Sequence, residues 1–163
     1  MPYAAKSKLL EFIDPINLAL EKYDINNRLR ICAFISQIAH ESGSLNYTKE
    51  IASGAAYEGR KDLGNINEGD GVKFKGRGLI QVTGLANYNI VGKALGLDLF
   101  THPELLEKPL NAAMSAAWWW HNKGLNAWAD KGDMIKITKI INGGTNGLKD
   151  RLDFYNTSLK VIL

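Results

Sequence analysis

Residues 109–121 read PLNAAMSAAWWWH. The opening proline suits the first position of a helix, because its ring fixes φ and its missing N–H would have no partner there. The alanines, the methionine and the three tryptophans that follow leave almost no polar side. A helix that is apolar all round is buried. We therefore predict that residues 109–121 form a helix at the centre of the fold.

Helical periodicity extends to both sides of this segment. Before it, apolar spacing predicts helices at residues 9–13, 15–23, 27–41, 85–95 and 103–107. Asp14-Pro15 opens the second of these helices, and Asn26 or Asn27 caps the third. After the central segment, Asp133 caps a further helix. The last helix places one apolar stripe on its face, made of Leu148, Leu152, Tyr155, Leu159 and Ile162.

The segment between Leu45 and Val82 breaks this pattern. Eight of the 16 glycines lie between Gly54 and Gly84, among asparagines and aspartates, and alternation is weak. A loop of this length inside a compact domain is usually functional. The predicted fold class is therefore mostly α (α+β in classification), a helical domain with an inserted glycine-rich loop or small β segment that forms a cleft.

The bulk properties of the chain exclude several classes of function. Its length fits a single domain, residues 1–163, and we expect no separate second module. Cys32 lies in an apolar run and the three histidines lack metal-ligand spacing, so we expect no metal and no cofactor. The net charge of +3 comes from scattered basic residues, which disfavours nucleic acid as a partner. We also expect no secretory signal, no stable membrane insertion and a monomer.

Two glutamates stand out among the residues that can do chemistry. Glu41 follows Ala39-His40 at the end of an apolar helix, where the helix dipole and desolvation favour a protonated carboxyl group, the form that a general acid needs. Glu50 lies nine residues further on, in polar surroundings where a carboxylate can act as a base. Cleavage of a glycosidic bond calls for this division of roles. Such a pair alone is more often surface charge.

Amide and hydroxyl groups further along the chain are typical of a sugar-binding cleft. Gln81 and Thr83 share one face of the segment GRGLIQVTG if it is extended. Tyr88 follows shortly after, and Asn142 begins a polar turn at a helix end. The glycines could instead serve only to form turns. For Trp119 and Trp120 the alternative to a sugar contact is packing in the core, and for these two residues we favour the core.

These motifs, in this order, resemble glycoside hydrolase family 19, which contains plant chitinases and many phage endolysins. They are HESG at residues 40–43, GRGLIQ at 76–81, NY at 87–88, INGG at 141–144 and Arg151. The stretch AYEGRKDLGN at residues 56–65 is similar to the endolysin branch in particular. The resemblance covers roughly residues 26–155 and implies a lysozyme-like fold and an inverting reaction.

The resemblance also implies a role for each matching position. Glu41 matches the general acid, and Glu50 matches the general base of the endolysin branch. The remaining matches are Thr83, which helps to hold the attacking water, the sugar-contacting Gln81, Tyr88 and Asn142, and Arg151, which matches an arginine close to the catalytic carboxylates. Arg151 lies at the edge of the last apolar stripe, and we expect its guanidinium nearer the base than the acid.

Two departures from the plant members affect the expected substrate. Those enzymes have a much longer separation between their two glutamates, so the loops that grip chitin are not expected here. Asn146 stands near the position of an acidic residue that the plant enzymes carry after their Gly-Gly pair. Both departures favour peptidoglycan over chitin. They also leave Glu58 as an alternative to Glu50, either as the base or as a residue that binds the substrate.

The predicted function is that of an endolysin-type glycosidase that cleaves β-1,4 bonds of bacterial peptidoglycan, with chitin-like oligosaccharides as further ligands. The alternatives are a lytic transglycosylase, in which one glutamate acts as acid and then as base, a chitinase, and a non-catalytic cell-wall-binding module. The expected lack of a signal is typical of a phage lysin that stays in the host cytoplasm until it is released to the cell wall. A bacterial autolysin or a secreted toxin would look similar.

Overall fold

The computed structural model describes residues 1–162, and these are mostly helical, as the sequence predicts. The α-helices are α1 (Lys6–Lys22), α2 (Arg28–Glu41), α3 (Asp70–Lys73), α4 (Leu85–Leu95), α5 (Pro109–Asn122), α6 (Leu125–Ala129), α7 (Met134–Asn142) and α8 (Leu148–Val161). Short 3₁₀-helices lie at Ala55–Tyr57, Lys61–Leu63 and Pro103–Glu107. Within residues 1–162, no helix has the length and apolar character that crossing a membrane requires.

Helix α5 is the central element, as predicted. It packs against α1, α2, α4 and α6, and its alanines at 112, 113, 116 and 117 are buried, so the neighbouring helices approach closely. Trp120 is also buried and meets Phe34 of α2 edge to face, with 5.5 Å between the ring centroids. The indole Nε1 of Trp120 donates to Asn126 Oδ1 at 2.8 Å, so the polar atom of this large core residue has a partner.

Helix α1 is one element, although the sequence predicts two. Pro15, expected to open a second helix, lies inside α1. The helix continues through the proline because residues on both sides of it form one buried stripe, made of Phe12, Ile16, Ala19 and Leu20. Burial of that stripe outweighs the single hydrogen bond that the proline removes. The prediction of a break at Asp14 is therefore wrong.

The core consists of two clusters. The larger one surrounds α5, and the smaller one joins α4 to the end of the glycine-rich segment through Phe74, Val82, Tyr88, Val91, Leu99 and Leu106. Ile80 and Trp118 pack against both clusters. These two side chains also line a cavity, which therefore lies along the boundary between the clusters.

The predicted small β segment is not confirmed. Between residues 42 and 84 the described pairing is limited to isolated bridges, which join Arg77 to Lys49 and to Val82. Glycines at 54, 59, 64, 69, 78 and 84 adopt positive φ and interrupt the extended alternation that a strand needs. Short helices, including α3, occupy other parts of this segment.

A polar cluster ties the start of α2 to the connection after α6. Asn27 caps α2, as predicted, by accepting a hydrogen bond from Arg30 N at 2.9 Å. Asp130 accepts from Asn27 Nδ2 at 2.8 Å and from the guanidinium of Arg30 at 2.8 and 2.6 Å. The hydrogen bond from Arg30 is the main reason why the pKa of Asp130 is lowered to about 2.

Asp130→Asn is expected to lower the thermal midpoint slightly at neutral pH, because the ion pair with Arg30 is partly exposed. Because the pKa of Asp130 is lowered in the folded state, the difference in thermal midpoint between wild type and variant should depend on pH. The carboxylate stabilises the fold above its unfolded pKa of about 4, and this contribution is lost as the pH falls through about 2. Thermal unfolding followed from neutral pH to below pH 2 should show wild type and variant converging. A difference that persists at the acid end would contradict the assignment.

Candidate active site

Helix α8 packs on α2 and forms a charged pair where α2 ends. Arg151 Nη2 donates to Glu41 Oε1 at 2.5 Å, and Arg151 Nη1 donates to Gln37 Oε1 at 2.5 Å. The side chain of Arg151 is 2% exposed and that of Glu41 is 21% exposed. A buried guanidinium thus holds Glu41 in one rotamer, while part of the carboxyl group remains open to solvent.

A second pair lies beside the first. His40 Nδ1 and Asp150 Oδ2 are 2.6 Å apart. The imidazole of His40 lies against Gly147, where a Cβ would clash with His40 Cε1. Gly147 also has a φ of 69° at the start of α8, so both its backbone conformation and this close approach require glycine. His40 and Glu41 of α2 are therefore fixed to Asp150 and Arg151 of α8.

The predicted surroundings of Arg151 are wrong in two respects. The sequence places Arg151 at the edge of an apolar stripe, but the buried face of α8 consists of Arg151, Phe154, Tyr155 and Ser158. The sequence also places the guanidinium nearer Glu50, whereas it pairs with Glu41. Helix α8 can turn this charge inward because the end of α2 supplies a carboxylate and an amide oxygen that compensate it.

Glu50 is held through both its backbone and its side chain. Glu50 N donates to Gly76 O at 2.9 Å, and Gly78 N donates to Thr48 O at 2.9 Å, so the segment that follows α2 is fixed to residues 76–78. The carboxylate accepts hydrogen bonds from Tyr57 Oη at 3.0 Å and from Gly76 N at 3.1 Å. Two donors on two different oxygens keep the half-buried carboxylate in one orientation.

Tyr57 is a site residue that sequence reasoning does not single out. Burial, and then the hydrogen bond to Glu50, raise the pKa of Tyr57 above its usual value. Its hydroxyl therefore remains protonated at neutral pH and donates to Glu50. The sequence offers no local signal for this contact, because the short 3₁₀-helix that carries Tyr57 returns the chain toward residue 50.

Gly76 allows Glu50 and Gln81 to approach one another. A Cβ on Gly76 would lie 2.7 Å from Gln81 Oε1 and 3.1 Å from Glu50 Oε2. Gln81 has a left-handed backbone with a φ of 57°, a conformation that is rare outside glycine and often marks a functional position. Thr83 Oγ1 donates to Gln81 O at 2.9 Å. The structure thus brings three predicted site residues together: Glu50, Gln81 and Thr83.

Gly76→Ala is expected to lower hydrolytic activity about tenfold, because the methyl group must displace Glu50 or Gln81 and a small misplacement in a catalytic site is costly. Gly76 does not have a positive φ, so the backbone accepts alanine and the thermal midpoint should change little. Turnover of a soluble glycan and thermal unfolding, measured on the same preparation, test both statements. Wild-type turnover in this variant would show that the position of these two side chains does not limit the reaction.

A cavity of about 290 Å³ opens between the glycine-rich segment and the end of α5. Apolar side chains make up much of its lining, and the polar and aromatic members are Gln81, Thr83, Asn87, Trp118, Trp119, Asn122 and Lys123. Trp119 is half-buried and packs against the larger core cluster, so it lies at the edge of the core and also lines the cavity. Ile141 is among the apolar lining residues, and the exposed Asn142 follows it at the end of α7, outside the lining. Amides and a hydroxyl group that face indole rings suit a sugar ligand.

Tyr88 lies outside this cavity, contrary to the prediction of a sugar contact. It is 0% exposed, its Oη donates to Lys75 O at 2.6 Å, and the same oxygen accepts from Arg77 Nη1 at 3.0 Å. Burial raises the pKa of Tyr88 to about 12. A phenol enclosed in this way supports the smaller core cluster and cannot contact a sugar.

Glu58 is exposed and binds the backbone of the glycine-rich segment. Its two carboxylate oxygens accept hydrogen bonds from Gly69 N at 3.1 Å and from Val72 N at 3.2 Å, at the start of α3. A carboxylate is stabilised at the N-terminal end of a helix. Glu50, in contrast, meets Gln81 at Gly76, and Gln81 lines the cavity whereas Glu58 does not, which favours Glu50 over Glu58 as the second carboxylate of the site.

Comparisons with known sequences find related proteins. The model of the family described as Chitinase class I matches residues 20–136. A glycosyl hydrolase family 19 domain-containing protein of Haemophilus influenzae is 31% identical, over 86% of this chain and 84% of that protein. An endochitinase of Arabidopsis thaliana is 34% identical, over 77% of this chain, and the chain spans 45% of that protein's length.

Solved structures with the same arrangement of helices are also found. Chitinase C from Streptomyces griseus matches with a TM-score of 0.74 and 21% identity, over 98% of this chain and 71% of that one. A bacterial family 19 chitinase matches with a TM-score of 0.70 and 20% identity, over 96% of this chain and 93% of that one. At these identities the likeness concerns the fold, and it agrees with the predicted mostly helical class.

Proposed function

Because this chain belongs to glycoside hydrolase family 19, whose members are glycosidases, we propose that it hydrolyses β-1,4 bonds in the glycan strands of bacterial peptidoglycan. The observation that carries the proposal is the contrast between two carboxyl groups. Glu41 is held by a buried cation at the end of a helix, and Glu50 is held by two neutral donors, close to Gln81 of the cavity. Two differently held carboxyl groups suit an acid and a base.

Glu41 is the proposed general acid. It gives its proton to the oxygen of the leaving sugar, and Arg151 stabilises the carboxylate that this transfer leaves behind. Helix α2 and the pair between His40 and Asp150 keep the carboxyl group in place while the bond breaks. The partial exposure of Glu41 allows a substrate to reach it.

Glu50 is the proposed general base. Tyr57 and the amide of Gly76 fix its orientation. Thr83 uses its own hydrogen to bond Gln81 O, so its hydroxyl oxygen is free to accept a hydrogen bond from the attacking water. Attack by water on the face opposite the leaving group inverts the anomeric centre, and no covalent sugar–enzyme intermediate forms.

The cavity supplies the proposed sugar contacts. Gln81 presents an amide group to N-acetyl and hydroxyl groups of the sugar, and the exposed Asn142, which follows the lining residue Ile141, offers a second amide outside the cavity. The indole of Trp119 offers a flat apolar surface against which a sugar ring can pack. These groups recognise N-acetylated sugars in general, so they suit both peptidoglycan and chitin.

The short connection between the two glutamates favours peptidoglycan. Only residues 42–49 separate Glu41 from Glu50, and they are fixed to the backbone at residues 76–78. A connection this short adds no long loop that could close over the substrate, and this favours a strand that carries peptide branches. Chitin is the second candidate, favoured by the relatives that are named as endochitinases.

Mass spectrometry of the products released from purified peptidoglycan and from chitin oligosaccharides tests the proposal. The expected products of peptidoglycan have ordinary reducing ends, and the sugar at that end identifies the bond. Anhydro ends would show a lytic transglycosylase, and cleavage of chitin alone would show a chitinase. Binding to the wall without any released product would show a binding module.

A further inference from the structure

We propose that Lys123 binds a carboxylate of the substrate and makes the cavity selective for glycan strands that carry acidic groups over uncharged chitin. The proposal rests on the hydrolysis of peptidoglycan proposed above and names a determinant of specificity within the same cavity. Among the described residues that line the cavity, Lys123 is the one with a charged side chain, and all the others are apolar or neutral polar residues.

Lys123 has a defined position at the end of α5. Its backbone N–H donates to Trp119 O at 3.0 Å and closes the helix. Its Nζ lies 5.5 Å from the centroid of the Trp119 ring, which places the ammonium group at the aromatic wall of the cavity. The negative end of the helix dipole further favours a cation at this position.

Lys123 takes part in no ion pair among the described residues, although its ammonium lies near the Trp119 ring. Several lysines of this protein form ion pairs, such as Lys8 with Glu11 and Lys149 with Asp153. Within residues 1–162, the ion pairs closer than 4 Å do not include Lys123. Its ammonium is therefore available to a carboxylate that enters the cavity, and binding does not require an internal pair to break.

The neighbours of Lys123 are suited to a ligand that is part sugar and part acid. Trp119 can pack against a sugar ring, and Asn122 adds an amide beside it. Chitin consists of N-acetylglucosamine and has no carboxylate. Peptidoglycan carries a lactyl group on every second sugar, and this group ends either in a peptide with free carboxylates or, once the peptide has been removed, in its own carboxylate. Lys123 would bind the carboxylate from either source.

The test compares Lys123→Gln and Lys123→Arg on three soluble substrates. These are glycan strands with their peptides, the same strands stripped of peptides so that the lactyl carboxylates are free, and chitin oligosaccharides. Lys22→Gln is the matched control, because Lys22 also lies in the last turn of a helix, with its Nζ 5.7 Å from the ring of Tyr23, yet outside the cavity. It removes the same charge from the surface.

We expect Lys123→Gln to lower kcat/KM on at least one acidic substrate about three- to tenfold, mainly through KM, as suits an ion pair made by an exposed lysine. The more affected of the two substrates identifies the source of the carboxylate. Activity on chitin oligosaccharides should not change, Lys123→Arg should keep most of the wild-type value, and Lys22→Gln should match wild type. Added salt should slow wild type more than Lys123→Gln on the acidic substrate.

Two results would overturn the inference in different ways. Equal losses on all three substrates, or no loss on any, would show that Lys123 does not recognise a carboxylate, while cleavage of peptidoglycan by the wild type would leave the proposed function intact. Cleavage of chitin oligosaccharides alone by the wild type would overturn the proposed substrate, and the proposed role of Lys123 with it.

Discussion

Glu41→Gln should keep the fold and lose hydrolytic activity by on the order of a thousandfold, because glutamine cannot transfer a proton to the leaving sugar. The substitution keeps an oxygen that accepts from Arg151, so the contact between α2 and α8 remains. We therefore expect little change in the thermal midpoint. Initial rates on peptidoglycan and a thermal melt of the same sample are the measurements.

Glu58→Gln is the matched control for that experiment. It replaces the rival carboxylate, whose oxygens bind the backbone at the start of α3, and it should retain most of the activity. A Glu41→Gln variant with a tenth of the wild-type rate would remove Glu41 from the mechanism. A thousandfold loss in Glu58→Gln with activity kept in Glu50→Gln would transfer the role of base to Glu58.

The helical part of the fold was predictable because its signals are local. The apolar character of α5 and the caps of α2 and α7 follow from residues a few positions apart, and the structure has all three elements where the sequence indicates them. The prediction of a helix break at Pro15 is wrong because the decisive contacts are not local. The stripe that carries α1 through the proline is stabilised by contacts with α5, which is distant in sequence.

The polar contacts of the site were less predictable, because they depend on how distant elements face one another. Apolar spacing in α8 favours Leu152 as a buried residue, yet a small rotation of the helix buries Arg151 against α2. The contacts of Tyr57 and Tyr88 also depend on how distant elements face one another. A tyrosine can satisfy its hydroxyl in a cleft or in the core, and here Tyr57 binds Glu50 while Tyr88 binds Lys75 and Arg77 inside the smaller cluster.

Arg151→Lys is the second substitution for which we expect a large effect, a fall in kcat on the order of a hundredfold with little change in KM. The guanidinium donates to Gln37 and Glu41 from two different nitrogens, and one ammonium group cannot reproduce that fork. Glu41 would then be free to leave its rotamer. Stability should fall too, because an ammonium is harder to desolvate than a guanidinium and the side chain is 2% exposed.

Two controls separate positioning of Glu41 from a general loss of stability. Arg60→Lys alters a similar forked pair, with Asp62, on the exposed surface, and it should leave kcat and the thermal midpoint unchanged. Phe154→Leu removes buried volume from the same face of α8 without touching Glu41, so it should lower the midpoint and spare kcat. If Phe154→Leu and Arg151→Lys lose kcat in proportion to their lost stability, Arg151 only supports the fold. If kcat falls in Arg151→Lys alone, the guanidinium positions the acid.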